Sequence, residues 1–396
     1  MPVQSLCSYL QLLTMPTPSL ILVPARFKTG KLYTPVATTS GGVVLGASGD
    51  FNVTRATTAT RVNASGLIEV VASGIPRLDY PIGGGCPALL VEPSGTNLAL
   101  HSRDLSNVVW VKTSITAAKN AVGADGTVSG ATTLTATAAS GTVLQSLVNV
   151  SQSRVFSAYI RRVTGTGAIQ LTTNGGTNYT TVTITSGYTQ VACDAQTVLN
   201  GSVGVRMAVS GDVIEVDFTQ GEVGPVATST IPTTTASATR NADVINLSGA
   251  VSGCIGQTEG TIYVELDVSK LLGATARTIF AIETGTSRVQ LFFTGLSANT
   301  IRALVRETNV TKYDARTTIT TTGIIKLAIA YKSLDTAFYV NGVQITNVLT
   351  NLSFGSINFS DALLGSADTN FLNDRIRAAA LYTTRLTDAQ LQALTT

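Results

Sequence analysis

The sequence predicts an all-β protein, with two antiparallel β-sandwiches in series behind an extended N-terminal arm. Three observations carry this. Only 12% of the 396 residues are charged, about 60 are threonine, and serine, glycine and valine are abundant, a composition that favours strands and argues against helical bundles and disorder. Short runs of strand-forming residues recur between turn residues at sandwich spacing. Helical signals are confined to the C-terminus, where Thr387 and Gln390 form a capping box and Leu386 can staple to Leu391. The chain also exceeds the roughly 250 residues at which a single core stops growing, so more than one core is expected.

Residues 1–45 carry Pro16, Pro18, Pro24 and Pro35 around the apolar run Leu20, Ile21, Leu22 and Val23. Proline blocks helix interiors and central strands, which makes this region extended. Four adjacent apolar side chains are costly to leave in water, so the run is expected to dock on a partner or on the later domains. We read it as an attachment arm. Residues 46–87 follow as a connecting region of short strands, Phe51–Thr54 and Gly66–Val71, ending in the breaker cluster 81–87. Its triplet Gly83-Gly84-Gly85 lacks the strand and helix context of a phosphate cradle and reads as a turn.

Residues 88–244 alternate strand and turn signals through 131–137, 143–150, 155–163, 168–172, 180–185, 189–193, 203–209 and 213–218, eight strands that suit a jelly roll. After the low-complexity connector 231–239, residues 245–396 supply a second set: 261–268, 277–282, 288–293, 300–307, 324–332, 337–340 and 375–382. Asn341-Gly342 is the strongest hairpin signal in the chain, because both residues tolerate positive φ.

Charge and special residues narrow the function. A net charge of +3 with no basic run lacks the field that steers proteins onto nucleic acid. Mean hydropathy is high at +0.29, yet no segment approaches the roughly 18 apolar residues of a membrane helix. The excess apolarity must therefore be buried in sheets or between subunits. No charged n-region marks an export signal. Cys7, Cys86, Cys193 and Cys254 are widely spaced and read as isolated buried thiols. The single histidine, His101, excludes His-rich metal sites and most nucleophile–base relays.

Phe51-Asn52-Val53-Thr54-Arg55-Ala56, Arg61-Val62-Asn63, Gly66-Leu67-Ile68-Glu69, Pro76-Arg77-Leu78-Asp79-Tyr80 and Leu89-Leu90-Val91-Glu92-Pro93-Ser94-Gly95-Thr96-Asn97-Leu98 occur in order, continuing through Ser102–Asn107 to Trp110. This block resembles a module of tailed-bacteriophage structural proteins found in head fibres, head spikes and tail fibres. The resemblance implies a jelly roll similar to carbohydrate-binding modules, closing near Gln220-Gly221-Glu222 and Ile231-Pro232. Thr230 stands where that family often has an aromatic residue. Residues 260–396, through Tyr339-Val340-Asn341-Gly342 and Leu364-Gly365-Ser366, look like a concanavalin A-like, laminin-G-like sandwich. The resemblance implies a virion part and, as in most such fibres, a homotrimer.

Sugar binding calls for exposed aromatic faces with orienting polar groups. The candidates are Trp110, Tyr159, Tyr179, Tyr188 and Tyr313. Trp110 follows Val108-Val109 and reads as a core anchor, which leaves Tyr179, Tyr188 and Tyr313 as candidate glycan contacts. No cofactor is expected apart from calcium, for which Asp368, Asn370 and Asp374 are the candidate oxygen ligands. A polar turn explains those three equally well. Glu215 and Asp217 alternate along one strand and form the only tidy carboxylate pair of the kind a glycan hydrolase uses. Their placement on an outward face is explained by solubility, so no catalytic residue is assigned.

The expected function is that of a noncatalytic virion protein, a fibre or spike subunit on the head or tail. Its partners would be other copies of itself, capsid or tail proteins and host-surface glycans, without nucleic acid or membrane insertion. The alternatives are a secreted or cell-surface bacterial glycan-binding protein and, behind it, a tailspike glycan hydrolase.

Overall fold

A computed structural model describes residues 16–22, 24, 27–32, 36–37, 43–44, 50–81, 84–147, 151–248, 253–367 and 369–396. They form two compact units that are interleaved in sequence. The first takes the described residues up to 56, then 72–93 and 242–396; the second takes 57–71 and 94–241. The expected linear order, with a connecting region at 46–87, gives way to this interleaving. Strands Phe51–Thr54 and Arg77–Asp79 belong to sheets of the first unit, whereas the hairpin Ala59–Val62 and Ile68–Val71 belongs to the second.

The first unit packs an eight-stranded sheet against a ten-stranded one, every pairing antiparallel. Glu259–Val268 lies at the heart of the smaller sheet, paired along its length with Gly323–Lys332 and on its other edge with Asp374–Tyr382. Period-two alternation sends Ile262, Val264 and Leu266 into the core between the sheets, with Phe280, Leu291 and Ile301. Tyr263 faces the opposite side, where Ala328, Ala330, Ala378 and Ala380 form a floor of small side chains. On that floor the helix Asp388–Thr395 seats Leu391 and Leu394.

Leu20–Leu22 corrects the expectation of an attachment arm. It pairs with Asp374–Tyr382 in the register Leu20↔Leu381 and Leu22↔Ala379. Leu20 and Leu22 are fully buried in the core, and Ile21 packs on the alanine-rich face. The run docks because its apolar side chains complete this unit's own core, so these three residues are not free to bind a particle. Val23 lies outside the described residues.

The second unit packs another eight-stranded sheet against one of five strands. Trp110, Phe156, Leu134, Val205 and Met207 fill the core between them. The eight expected strands are present within a few residues of their predicted limits. Ile115–Ala121 and, in the first unit, Val310–Thr318 went unanticipated, because one face of each is polar and only a few side chains are buried.

Asn341 and Gly342 adopt φ of +47° and +78° and join Ala337–Val340 to Val343–Gln344, as the hairpin signal predicts. The capping box of Thr387 and Gln390 is formed. Cys193 and Cys254 are buried free thiols, but Cys86 is disulfide-bonded, which corrects the reading of four isolated thiols.

Candidate functional site

The motifs that carry the family resemblance build buried polar networks. In the first unit, Asp243 accepts from Arg55 Nη1 at 2.8 Å and from Arg77, which also donates to Glu92 Oε2 at 2.6 Å. All four residues are nearly or fully buried. In the second unit, Asn97 donates to the carbonyls of Thr219 and Ile231 and accepts from the amides of Ala99 and Gly221. These residues tie distant segments of each unit together and leave little capacity for a ligand.

Glu215 and Asp217 share a face, as predicted, but the expectation that both point to solvent is corrected for Asp217. It is fully buried beneath Gly123–Asp125 and accepts from Arg103 Nε and Nη2 and from the amides of Ala124 and Phe218. Burial pushes its carboxyl up, against the pull of Arg103. Glu215 is bound by Arg161 Nε at 2.5 Å. Phe218 takes φ of +46° where the register shifts by a bulge, which turns its ring onto Tyr159.

The tyrosine candidates separate by burial. Tyr313 is 1% exposed and lies in the core of the first unit, so it is corrected from glycan contact to core residue. In the second unit Tyr179 is half-buried with Arg206 4.8 Å from its ring centroid. Tyr188 is half-buried under Arg161 and donates to the Val122 carbonyl at 2.9 Å. Each offers one ring face already covered by an arginine. Trp110 is fully buried, donating Nε1–H to the Leu100 carbonyl at 3.1 Å.

Of the calcium set, two members fall among the described residues. Asp368 lies outside the described residues, and Asn370 sits half-buried in the short strand Asn370–Phe371. Asp374 is buried with Oδ1 taken by the amide and hydroxyl of Ser269 and Oδ2 by Arg277 Nη1 at 2.8 Å. A carboxylate with both oxygens engaged is a poor ligand for a hard cation.

Among the described residues, a cleft with room for a ligand lies in the first unit, on the outer face of its ten-stranded sheet. It measures about 500 Å³ and is lined by Ser297, Thr300, Arg316, Thr318 and the loop residues Gln344 to Asn347. Its floor follows from strand alternation. In Ser287–Phe293, Thr300–Glu307 and Val310–Thr318, Leu291, Ile301, Ala303 and Ala315 face the core, which leaves Phe292, Arg302, Asp314, Arg316 and Thr318 on the other face.

Asp314 holds this floor in shape. It accepts Nε and Nη2 of Arg302, both at 2.8 Å, and Nε and Nη2 of Arg316 at 3.2 and 2.9 Å. Partial burial works to raise its carboxyl, but these hydrogen bonds prevail and hold it below the usual carboxylate range. Phe292 is half-buried with Arg302 over its ring, 5.5 Å from guanidinium to ring centroid. Sequence reading missed this site because an arginine on a strand shows no pattern until its cross-strand neighbours are known.

No protein-family model matches the sequence, and no curated protein does. Among solved structures the chain is similar to the receptor-binding domain of botulinum neurotoxin mosaic serotype C/D, at 13% identity and a TM-score of 0.32, covering 38% of each chain. It is also similar to domain 4 of AbnA, an extracellular arabinanase of Geobacillus stearothermophilus solved with arabinotriose. That likeness has 19% identity and a TM-score of 0.32, over 44% of this chain and 84% of the other. The chain spans about two-fifths of the length of the neurotoxin domains it matches. Likenesses of this size assign no residue and no ligand to this chain.

Proposed function

We propose that the protein is a noncatalytic structural and adhesive subunit of a bacteriophage particle, a fibre or spike on the head or tail, which holds a host-surface glycan in the cleft at Arg316. The cleft carries the glycan part of this reading. Sugars call for a concave site with converging donors and acceptors and an aromatic ring at its side; here hydroxyls, amides and an arginine line the cleft, and Arg302, across from Arg316, lies over the half-buried ring of Phe292. The ordered motifs from Phe51 to Trp110 support the particle assignment. The pairing of Glu215 and Asp217 with arginines supports a noncatalytic role.

Self-assembly, with a trimer favoured, draws support from the strand Val348–Asn351, which ends the ten-stranded sheet. Leu349 in it and Leu352 just after it are 54% and 50% exposed, an apolar edge that another copy can cover.

The experiment is a glycan microarray probed with the full chain and with Arg316→Ala, beside sedimentation of both proteins and antibody labelling of phage particles. Glycan binding lost in Arg316→Ala at unchanged sedimentation is expected. Binding to no glycan, or binding indifferent to Arg316, overturns the adhesive role, and unlabelled particles overturn the particle assignment.

A further inference from the structure

Residues 343–352 run along one side of the first unit and supply an edge to both of its sheets. Val343–Gln344 ends the eight-stranded sheet beside Ala337–Val340, and Val348–Asn351 ends the ten-stranded sheet beside Val310–Thr318. Among the described residues, no strand pairs with the outer side of either. Exposed edges are ordinarily guarded by charge or proline. This segment contains neither. Val343 and Val348, 64% and 39% exposed, extend the apolar edge of Leu349 and Leu352. Its polar side chains are amides and hydroxyls, which both donate and accept and so can bond to their counterparts on another copy. With no charge in the segment, two copies meet there without repulsion. A second copy of this chain is the occupant that fits.

The same segment walls the cleft. Between the two edge strands the chain passes through Gln344, Ile345, Thr346 and Asn347, all of which line it. Asn347 ties this wall to Arg316: its carbonyl accepts from the Arg316 amide at 3.3 Å, and its Nδ2 donates to the Arg316 carbonyl at 3.5 Å. Thr350 stands directly across from Asp314 and therefore faces the cleft side of the sheet, and its Oγ1 is buried without a hydrogen-bond partner. A strand added to this edge would lie about 4.8 Å away, within reach of both Asn347 and Thr350.

We propose that glycan binding and self-assembly are coupled here, with a neighbouring copy on 343–352 forming the outer wall of the cleft and fixing the Asn347 loop against Arg316. The inference rests on the glycan-binding and self-assembly readings and joins them. Linkage makes the effect reciprocal, so a ten-fold gain in glycan affinity on assembly is also a ten-fold tightening of assembly by the glycan.

The test compares the full chain with the double variant Leu349→Lys/Leu352→Lys and with Arg316→Ala. Sedimentation over a range of protein concentration measures assembly. Calorimetry with the brightest glycan of the microarray, as a free oligosaccharide, measures affinity per site and so leaves out the avidity of an oligomer on a surface. The double variant is expected to be monomeric, with unchanged circular dichroism, and to bind the oligosaccharide at least ten-fold more weakly. Wild type diluted below its association midpoint should weaken equally, which checks the result without any substitution. The oligosaccharide should tighten assembly of the wild type and leave that of Arg316→Ala unchanged. A monomeric variant that binds as tightly as the assembled wild type overturns the coupling and leaves both readings standing. A variant that still assembles overturns it by removing the edge from the interface. A wild type that is monomeric at every concentration brings down the self-assembly reading, a blank microarray brings down the glycan reading, and either takes the coupling with it.

Discussion

Arg103 grips Asp217 through Nε and Nη2, both at 2.9 Å, and Asp125 through Nη1 and Nη2, both at 2.7 Å. The Phe218 ring lies 4.1 Å from its guanidinium. Asp217 is fully buried while Arg103 is 23% exposed, so the arginine is the lid on a carboxylate that water cannot reach. Arg103→Ala is predicted to leave that charge uncompensated and to cost about 3–5 kcal/mol. Trp110 lies in the same unit and is the only tryptophan, so its fluorescence in urea reads the loss directly. Adding Asp217→Asn should recover part of it, and a loss below about 1 kcal/mol for Arg103→Ala alone would contradict the lid.

Asp374 predicts a pH dependence for the other unit. Burial pushes its carboxyl from 3.8 up to about 6, against the pull of Arg277 and Ser269. A raised value means that the folded protein holds the proton more tightly than the unfolded chain. The stabilising contribution is therefore full below about 4 and is lost as pH rises through about 6. Between pH 4 and 7 the wild type should lose stability relative to Asp374→Asn, which cannot titrate. Urea midpoints followed by circular dichroism measure that gap. A gap that stays constant over this range would mean that Asp374 remains ionised beside Arg277.

The C-terminal helix Asp388–Thr395 is held by packing more than by its own propensity, since eight residues are too few for stability alone. Leu391 and Leu394 are 0% and 1% exposed on the alanine-rich face. Leu391→Ala should cost about 2–5 kcal/mol. Thr387→Ala, which removes an exposed cap, should cost about 1 kcal/mol. Thermal unfolding of both variants checks the ratio, and equal losses would show that the cap governs the helix.

Strands with one apolar face were legible in the sequence because alternation is a local signal. Val155–Ile160 and Val213–Phe218 show it within six residues, and Asn341-Gly342 announces its turn through backbone sterics alone. The interleaving of the units was not legible, since it depends on pairings such as Val244↔Thr54, and no local property of either strand names its partner. The same holds for function. Tyr313 looked like a sugar contact because a tyrosine among polar residues suggests exposure, yet the parity of its strand turns it into the core. That parity turns Asp314 and Arg316 outward, and their value appears only when Arg302 is seen across from Arg316.

The last prediction separates the two places where a glycan could be sought. Tyr179 and Tyr188 belong to the second unit, the cleft and Phe292 to the first, and each of the three rings has an arginine over one face. If the cleft is the site, Phe292→Ala and Arg316→Ala should each weaken glycan binding at least ten-fold, while Tyr179→Ala leaves it unchanged. Phe292 supplies stacking area, which is worth about 1 kcal/mol or more beyond simple burial. Arg316 supplies a charge-assisted donor, worth about 1.5–3 kcal/mol, so its loss should be the larger. Raising salt should erode the Arg316 contribution before that of Phe292, because screening acts on charge and not on ring contact. Binding measured for the three variants at low and at high salt decides the matter, and a loss confined to Tyr179→Ala would move the glycan site to the second unit.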